Sequence, residues 1–132
     1  MPKSKALRHD PKFEITFYEN VLKFSPDFIE ALAVLAELYT KEGHVEKGLE
    51  LDRRLARLRP DDAVVQYNLA CSLSLMRDVP GAFGAIKRAL ENGYHDFASL
   101  EKDHDLLNLF SDKDFQDYYH GHKILKNVAK RV

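Results

Sequence analysis

Residues 27–60, DFIEALAVLAELYTKEGHVEKGLELDRRLARLRP, decide the fold, because the next 34 residues, DDAVVQYNLACSLSLMRDVPGAFGAIKRALENGY at 61–94, repeat their plan. Laid over one another, Asp27 falls on Asp61, Leu35 on Leu69, Ala36 on Ala70, Val45 on Val79 and Arg54 on Arg88. Pro26 and Pro60 keep the same step, and Tyr39/Leu73, Gly48/Ala82 and Leu49/Phe83 are alike in character. Each pair sits where a helical hairpin needs a cap, a core residue or a close contact. A fixed period of this length marks a supersecondary unit that buries its apolar face only by stacking on its neighbours. The chain therefore reads as a stack of helical hairpins before any single residue is interpreted.

Outward from that stretch, helical periodicity continues in both directions. Asp10-Pro11 is a cap followed by proline at the first helical position, where the missing N–H costs nothing. It predicts a helix over 12–24, with Phe13, Phe17, Val21 and Phe24 as the buried stripe and Glu14, Glu19 and Lys23 in water. Pro26 stops it. Asp27 is expected to cap a helix over 28–41 whose stripe is Phe28, Leu32, Leu35 and Tyr39, and Gly43 supplies its left-handed end. The next helix, 45–58, turns Val45, Leu49, Leu55 and Leu58 inward and pairs Glu50 with Arg54 outside. Asp61 restarts the cycle. Residues 62–76 bury Val65, Leu69, Leu73 and Met76, and 79–91 bury Val79, Ala82, Phe83, Ile86, Ala89 and Leu90 before Gly93 ends the helix. Beyond it Asp96 caps a short helix near 97–109, and Ser111 with Asp114 opens a last helix over 112–130 carrying Phe115, Tyr118, Tyr119, Leu125 and Val128. The expected fold is all-α: about seven helices in antiparallel hairpins, forming a short right-handed solenoid.

Composition narrows the rest. A chain of 132 residues fits one domain that buries a core without disulfides or metals. Its 20 Lys+Arg against 21 Asp+Glu leave a net charge of −1, so no overall field favours nucleic acid or an anionic membrane. Cys71 is the only cysteine and has no internal disulfide partner. Residues 1–25 lack the apolar run of a secretory signal, and no run reaches the roughly 18 apolar residues of a membrane span. The expected compartment is the cytoplasm.

With these residues in place, the chain resembles the tetratricopeptide repeat family over about residues 13–94. That family repeats a 34-residue helix–turn–helix with W-x2-L-G-x2-Y, A-x3-F and P motifs. Its leucine falls on Leu35 and Leu69, its small residue on Ala36 and Ala70, its aromatic on Tyr39 with Leu73 in the second copy, and its proline on Pro26 and Pro60. In the second helix its small residue falls on Gly48 and Ala82 and its next on Leu55 and Ala89. Leu32 and Gln66 replace the tryptophan, and Asp52 replaces an aromatic. Helix 12–24 reads as the second half of a leading half-repeat, with Tyr18 and Val21 at its aromatic and small sites. Residues Gly93 to Leu109 resemble the family's divergent end-of-array segment, G-Y-x-D-F-x-x-L-x-x-D-x-D-L-x-x-L. The division is a half-repeat at 12–26, repeats at 27–60 and 61–94, and a terminal cap at 95–132.

The resemblance implies a non-catalytic adaptor that holds a protein or peptide segment in a concave groove. It maps the groove onto Glu30, Ala33, Val34, Glu37 and Lys41 of the first repeat and Val64, Tyr67, Asn68, Cys71 and Leu75 of the second. An alternative is that the cap folds over these residues and they serve as core. Relatives that clamp acidic chaperone tails share Asn68, but Ala33 and Glu37 stand at two other clamp sites, and Glu37 repels a carboxylate. A second partner expectation is a copy of the chain itself, docked through helix 12–24 or the cap.

Other chemistry is thinly supported. Arg53, Arg54, Arg57 and Arg59 read as a solvated helix face, and Lys123, Lys126, Lys130 and Arg131 suit a helix C-terminus. His120 and His122 point to different sides of a helix, and His95, His104 and Asp105 lie in the irregular cap, so no metal or other cofactor is expected. Cys71 has no basic neighbour to lower its pKa, and no phosphate loop or triad motif appears, so no enzyme activity is expected. Asp52 is expected to be partly exposed or ion-paired, since an unpaired buried carboxylate is strongly unfavourable.

Overall fold

The computed structural model describes residues 10–131, which fold as eight α-helices and one 3-10 turn. In order these are α1 (Pro11–Phe24), α2 (Ile29–Lys41), α3 (Val45–Leu58), α4 (Ala63–Leu75), α5 (Val79–Glu91), α6 (Phe97–Lys102), the 3-10 turn His104–Leu106, α7 (Leu107–Phe110) and α8 (Lys113–Arg131). No strand occurs among the described residues. Helices α2/α3 and α4/α5 form the two hairpins predicted from the repeat, and α1 packs on α2. The predicted helix 97–109 is instead α6, the 3-10 turn and α7. Asp103, extended at ψ 113°, breaks it and accepts from the Asp105 amide.

The two helices of a hairpin meet through small residues. Ala36 and Ala70 are buried, and a Cβ on Gly48 would lie 2.4 Å from Thr40 Oγ1 and 3.1 Å from the Ala36 carbonyl oxygen. That closeness between α2 and α3 accounts for glycine there. One core layer gathers Leu32, Leu35, Tyr39, Leu51, Leu55 and Val65; the other joins α4 and α5 to Leu100, Leu106, Leu109 and Phe115 of the cap. Buried Ser74 stitches cap to repeat, its Oγ accepting from the Leu109 amide at 3.2 Å and its carbonyl from Asn108 at 2.8 Å.

Several expectations are corrected. Helix α1 faces the core with Ile15, Tyr18 and Leu22, while Phe13, Phe17, Phe24 and the following Phe28 are 65, 51, 89 and 45 % exposed. Two apolar stripes share this helix, and the one holding Tyr18 wins. It also brings Glu19, expected in water, to accept from the Tyr39 hydroxyl at 2.5 Å. Leu58 and Met76 are likewise exposed rather than buried, as are Leu125 and Val128. Residue Phe28 occupies the cap of α2 without a side-chain bond, because Asp27 meets the guanidinium of Arg54 instead, at 3.4 Å. Arg54 thus turns to Asp27 and the Pro26 carbonyl rather than to Glu50. The cap of α4 is Asp62 and not Asp61, and Asp112 rather than Ser111 accepts from the Phe115 amide at the start of α8. Arg77 holds φ +63° at the register position of Gly43, φ +86°.

Candidate functional site

Helices α2 and α4 stand side by side with the cap beyond, and the space between them is a cavity of about 540 Å³. The mapped groove residues Ala33, Glu37, Lys41, Tyr67, Asn68 and Cys71 line it. Val34, Val64 and Leu75 do not: Val64 is 57 % exposed outside the cavity, and Val34 and Leu75 are half-buried. Glu30 is exposed and also stands apart from it.

The two walls differ. On α2, Glu37 and Lys41 are exposed and paired across one helical turn at 3.0 Å, a contact worth a few tenths of a kcal/mol. On α4, Tyr67 and Cys71 are buried beneath the cap. Tyr67 donates its hydroxyl to Asp103 at 2.5 Å and stacks on Tyr94 at a ring separation of 4.6 Å; the Cys71 thiol lies 3.7 Å from the same carboxylate. Asn68 between them is exposed. The open-groove and covered-core arrangements therefore coexist on one helix, Asn68 in the former and Tyr67 and Cys71 in the latter.

Asp52 forms part of the cavity floor. It is 5 % exposed, which overturns the expectation of exposure or an ion pair. Its partner is a hydroxyl: Ser72 donates to Oδ2 at 2.5 Å. Burial disfavours the carboxylate more than that bond favours it, and the group is pushed up from 3.8 to about 7. Asp105, in the opposite wall, is also raised, by burial and then by repulsion from Asp103. Burial first, then Asp103 and Asp105, push the Cys71 thiol up, away from nucleophilic chemistry.

Sequence reasoning missed Asp52, Ser72, Asp103 and Asp105 as cavity residues. The signal for Asp52 was present, a carboxylate at an aromatic register position. For Asp103 and Asp105 only the D-x-D of the end segment hinted at a site, since its helical break is what turns both into the groove. Cys71, Asp103 and Asp105 bring one ligand atom each within 4.8 Å of one another, so they are the described residues best placed to hold a cation. The histidines do not join them: the His122 ring contacts Phe97 and Tyr118, and His95 bonds the Gly93 carbonyl.

No family model matches the chain. The solved structure of MamA, a protein of tetratricopeptide-like fold, superposes with a TM-score of 0.67 over 91 % of this chain and 65 % of that one, at 21 % identity. Among curated proteins, residues of this chain are 34 % identical over 80 positions to a chloroplastic protein of Arabidopsis thaliana, covering 58 % of this chain and 24 % of that protein. They are 39 % identical over 72 positions to the CTR9 homolog of the same plant, covering 54 % of this chain and 6 % of that protein. The chain thus spans a quarter or less of these curated relatives. Its fold is a tetratricopeptide-like helical repeat. No helix among the described residues is long and apolar enough to cross a membrane.

Proposed function

We propose that the chain is a non-catalytic adaptor that holds a segment of a partner protein in the cavity between α2, α4 and the cap, working in the cytoplasm. The observation that carries this reading is Asn68: exposed on the cavity wall, its side-chain amide bonded to no other described residue, beside the buried ring of Tyr67. An amide in that position offers a donor and an acceptor to an extended backbone. The Asn68 backbone is fixed within α4, so only its side-chain rotamer is left to order on binding. Asn68→Ala is expected to weaken partner binding by roughly 1–2 kcal/mol and to leave the melting temperature of the free protein unchanged. Affinity from a pull-down or titration, read beside thermal unfolding, checks it. A fall in melting temperature with unchanged affinity removes the groove from consideration.

A second reading, self-association, is favoured by the outward turn of Phe13, Phe17 and Phe24. Spaced four and seven residues apart, they lie on one face of α1, and a second copy is the occupant proposed for it. Mass by light scattering over a concentration series decides this, a constant monomer mass ruling it out.

A further inference from the structure

Helix α8 is anchored near its start. Phe115 is fully buried, Tyr119 is buried, and the Tyr119 hydroxyl donates to Glu101 of α6 at 2.5 Å. One turn on, the half-buried ring of His122 lies across Phe97 of α6, with ring centres 6.0 Å apart, and stacks on Tyr118 at 6.2 Å. Residues 124–130 are all exposed, so His122 and Lys123 are the last described side chains of α8 that the body shields from water. His122 is badly placed for a charge. Its Nε2 is the one buried side-chain nitrogen or oxygen without a hydrogen-bond partner among the described residues. A neutral ring leaves a bare acceptor there, whereas protonation puts an N–H on Nε2 with nothing to receive it. The surroundings are basic as well. Lys126 follows one turn along α8, Lys123 holds its ammonium 6.0 Å from the Phe97 ring centre, and Lys87 of α5 holds its own 5.7 Å from that of Tyr118. Both rings that face His122 thus already receive a cation. The acids nearby are Glu91 of α5 and Glu101 of α6, and Glu101 is taken by Tyr119 and by Lys123 at 2.6 Å.

We infer that α8 from His122 onward is a pH-sensitive strap, which lies on α6 while His122 is neutral and lifts from Phe97 when the ring takes up a proton. Burial first, then Lys126, hold His122 below the ordinary histidine value of 6.5, with Glu91 pulling the other way. The lifted ring is in water and titrates normally, so the docked state binds fewer protons. Docking is therefore at full strength above about 6.5 and weakens as pH falls below it. The other groups around the ring keep their charge through this window. Tyr118 and Tyr119 are pushed up and stay neutral, and Glu101, held down by its bonds from Lys123 and Tyr119, stays ionised. The Lys123–Glu101 pair resists the lift, yet both side chains are more than a third exposed, which keeps such a pair weak. Tyr119 and Phe115 hold the first half of α8 in place, so the movement is confined to the strap.

Two measurements on the full chain test this. The first needs no variant: the His122 ring is titrated by NMR, and its midpoint is expected below that of a histidine in an unstructured peptide. A midpoint at or above the peptide's overturns the strap. The second is amide exchange at about pH 7.5 and about pH 5.5, on either side of the ordinary histidine value. Each rate is divided by that of an unstructured peptide at the same pH, and α8 is read against α5, which cancels the effect of Asp52 on the whole chain. Protection over residues 120–127 is expected to fall several-fold relative to α5 on acidification. His122→Phe keeps a ring against Phe97 without a titrating group and should abolish the fall. His120→Gln, at an exposed position, should leave it in place. Protection that does not change, that is lost equally in α5 and α8, or that still falls in His122→Phe, overturns the inference.

Discussion

Helices α2 and α4 begin the same unit, have the same 13-residue length and lie one period apart, yet their groove faces meet different fates. The face of α2 stays in water, its Glu37 and Lys41 satisfied by each other. The face of α4 is largely taken by the cap, with Tyr67 anchored on Asp103 and stacked on Tyr94. Equivalent positions in a solenoid are equal only while both neighbours are equal. At the end of the array the cap turns groove residues into core, and what survives as open surface is the strip around Asn68 that the cap does not reach.

The strongest way to break the difference is to loosen the cap. Phe115 is fully buried between Phe83 and Phe110; Phe115→Ala should cost about 3–5 kcal/mol and release Tyr67 and Cys71. Chemical denaturation together with the rate of Cys71 labelling checks it. Slow labelling at wild-type rate, despite lost stability, means that the cap does not cover α4 independently of the core.

The next effect lies at Asp52, and its sign is fixed by direction. The folded value of about 7 stands above the ordinary 3.8, so between those values the folded protein holds the extra proton. Stability therefore falls as pH rises from about 4 to about 7 and is flat above, with a ceiling of about 4 kcal/mol on the loss from this group. Asp52→Asn keeps the shape and an acceptor for Ser72; it is expected to stabilise by on the order of 2 kcal/mol at about pH 8 and to flatten the profile. Melting temperatures of both proteins from mildly acidic to mildly basic pH test it, and parallel curves would contradict it.

Smallest is the contrast between the two hairpin turns. Gly43 takes its left-handed conformation freely, whereas Arg77 holds φ +63° with a side chain. Arg77→Gly should relieve strain but adds chain entropy, for a net gain of about 0.5 kcal/mol. The reverse change, Gly43→Arg, should destabilise by somewhat more, and urea midpoints of the pair measure both.

How much of this the sequence carried depends on the kind of signal. The period and the positions of Leu35, Leu69, Ala36 and Ala70 revealed the hairpins, because successive units packed alike leave the same mark twice. Helix ends were legible to within a residue or so. Asp61 and Asp62 both suit a cap, and only the backbone turn selects Asp62. The face of α1 was not legible, since an unpaired helix with two apolar stripes takes its orientation from what it packs on. The cavity floor was misjudged for a related reason: Asp52 was weighed by the cost of burying it, while its partner Ser72 lies 20 residues away on the next helix.

Arg54 and Arg88, one period apart, do a related thing. Arg54 reaches from α3 to the Pro26 carbonyl, which lies before its own hairpin. Arg88 reaches from α5 to the Gln66 amide, which itself bonds the Pro60 carbonyl at the preceding turn. Each hairpin thus fastens the hinge that leads into it, so its second helix cannot leave without freeing the turn before it. Pulled by its ends, such a chain should give way in few large steps rather than helix by helix, and amides in the Pro26 and Pro60 turns should exchange with solvent together with those of α3 and α5.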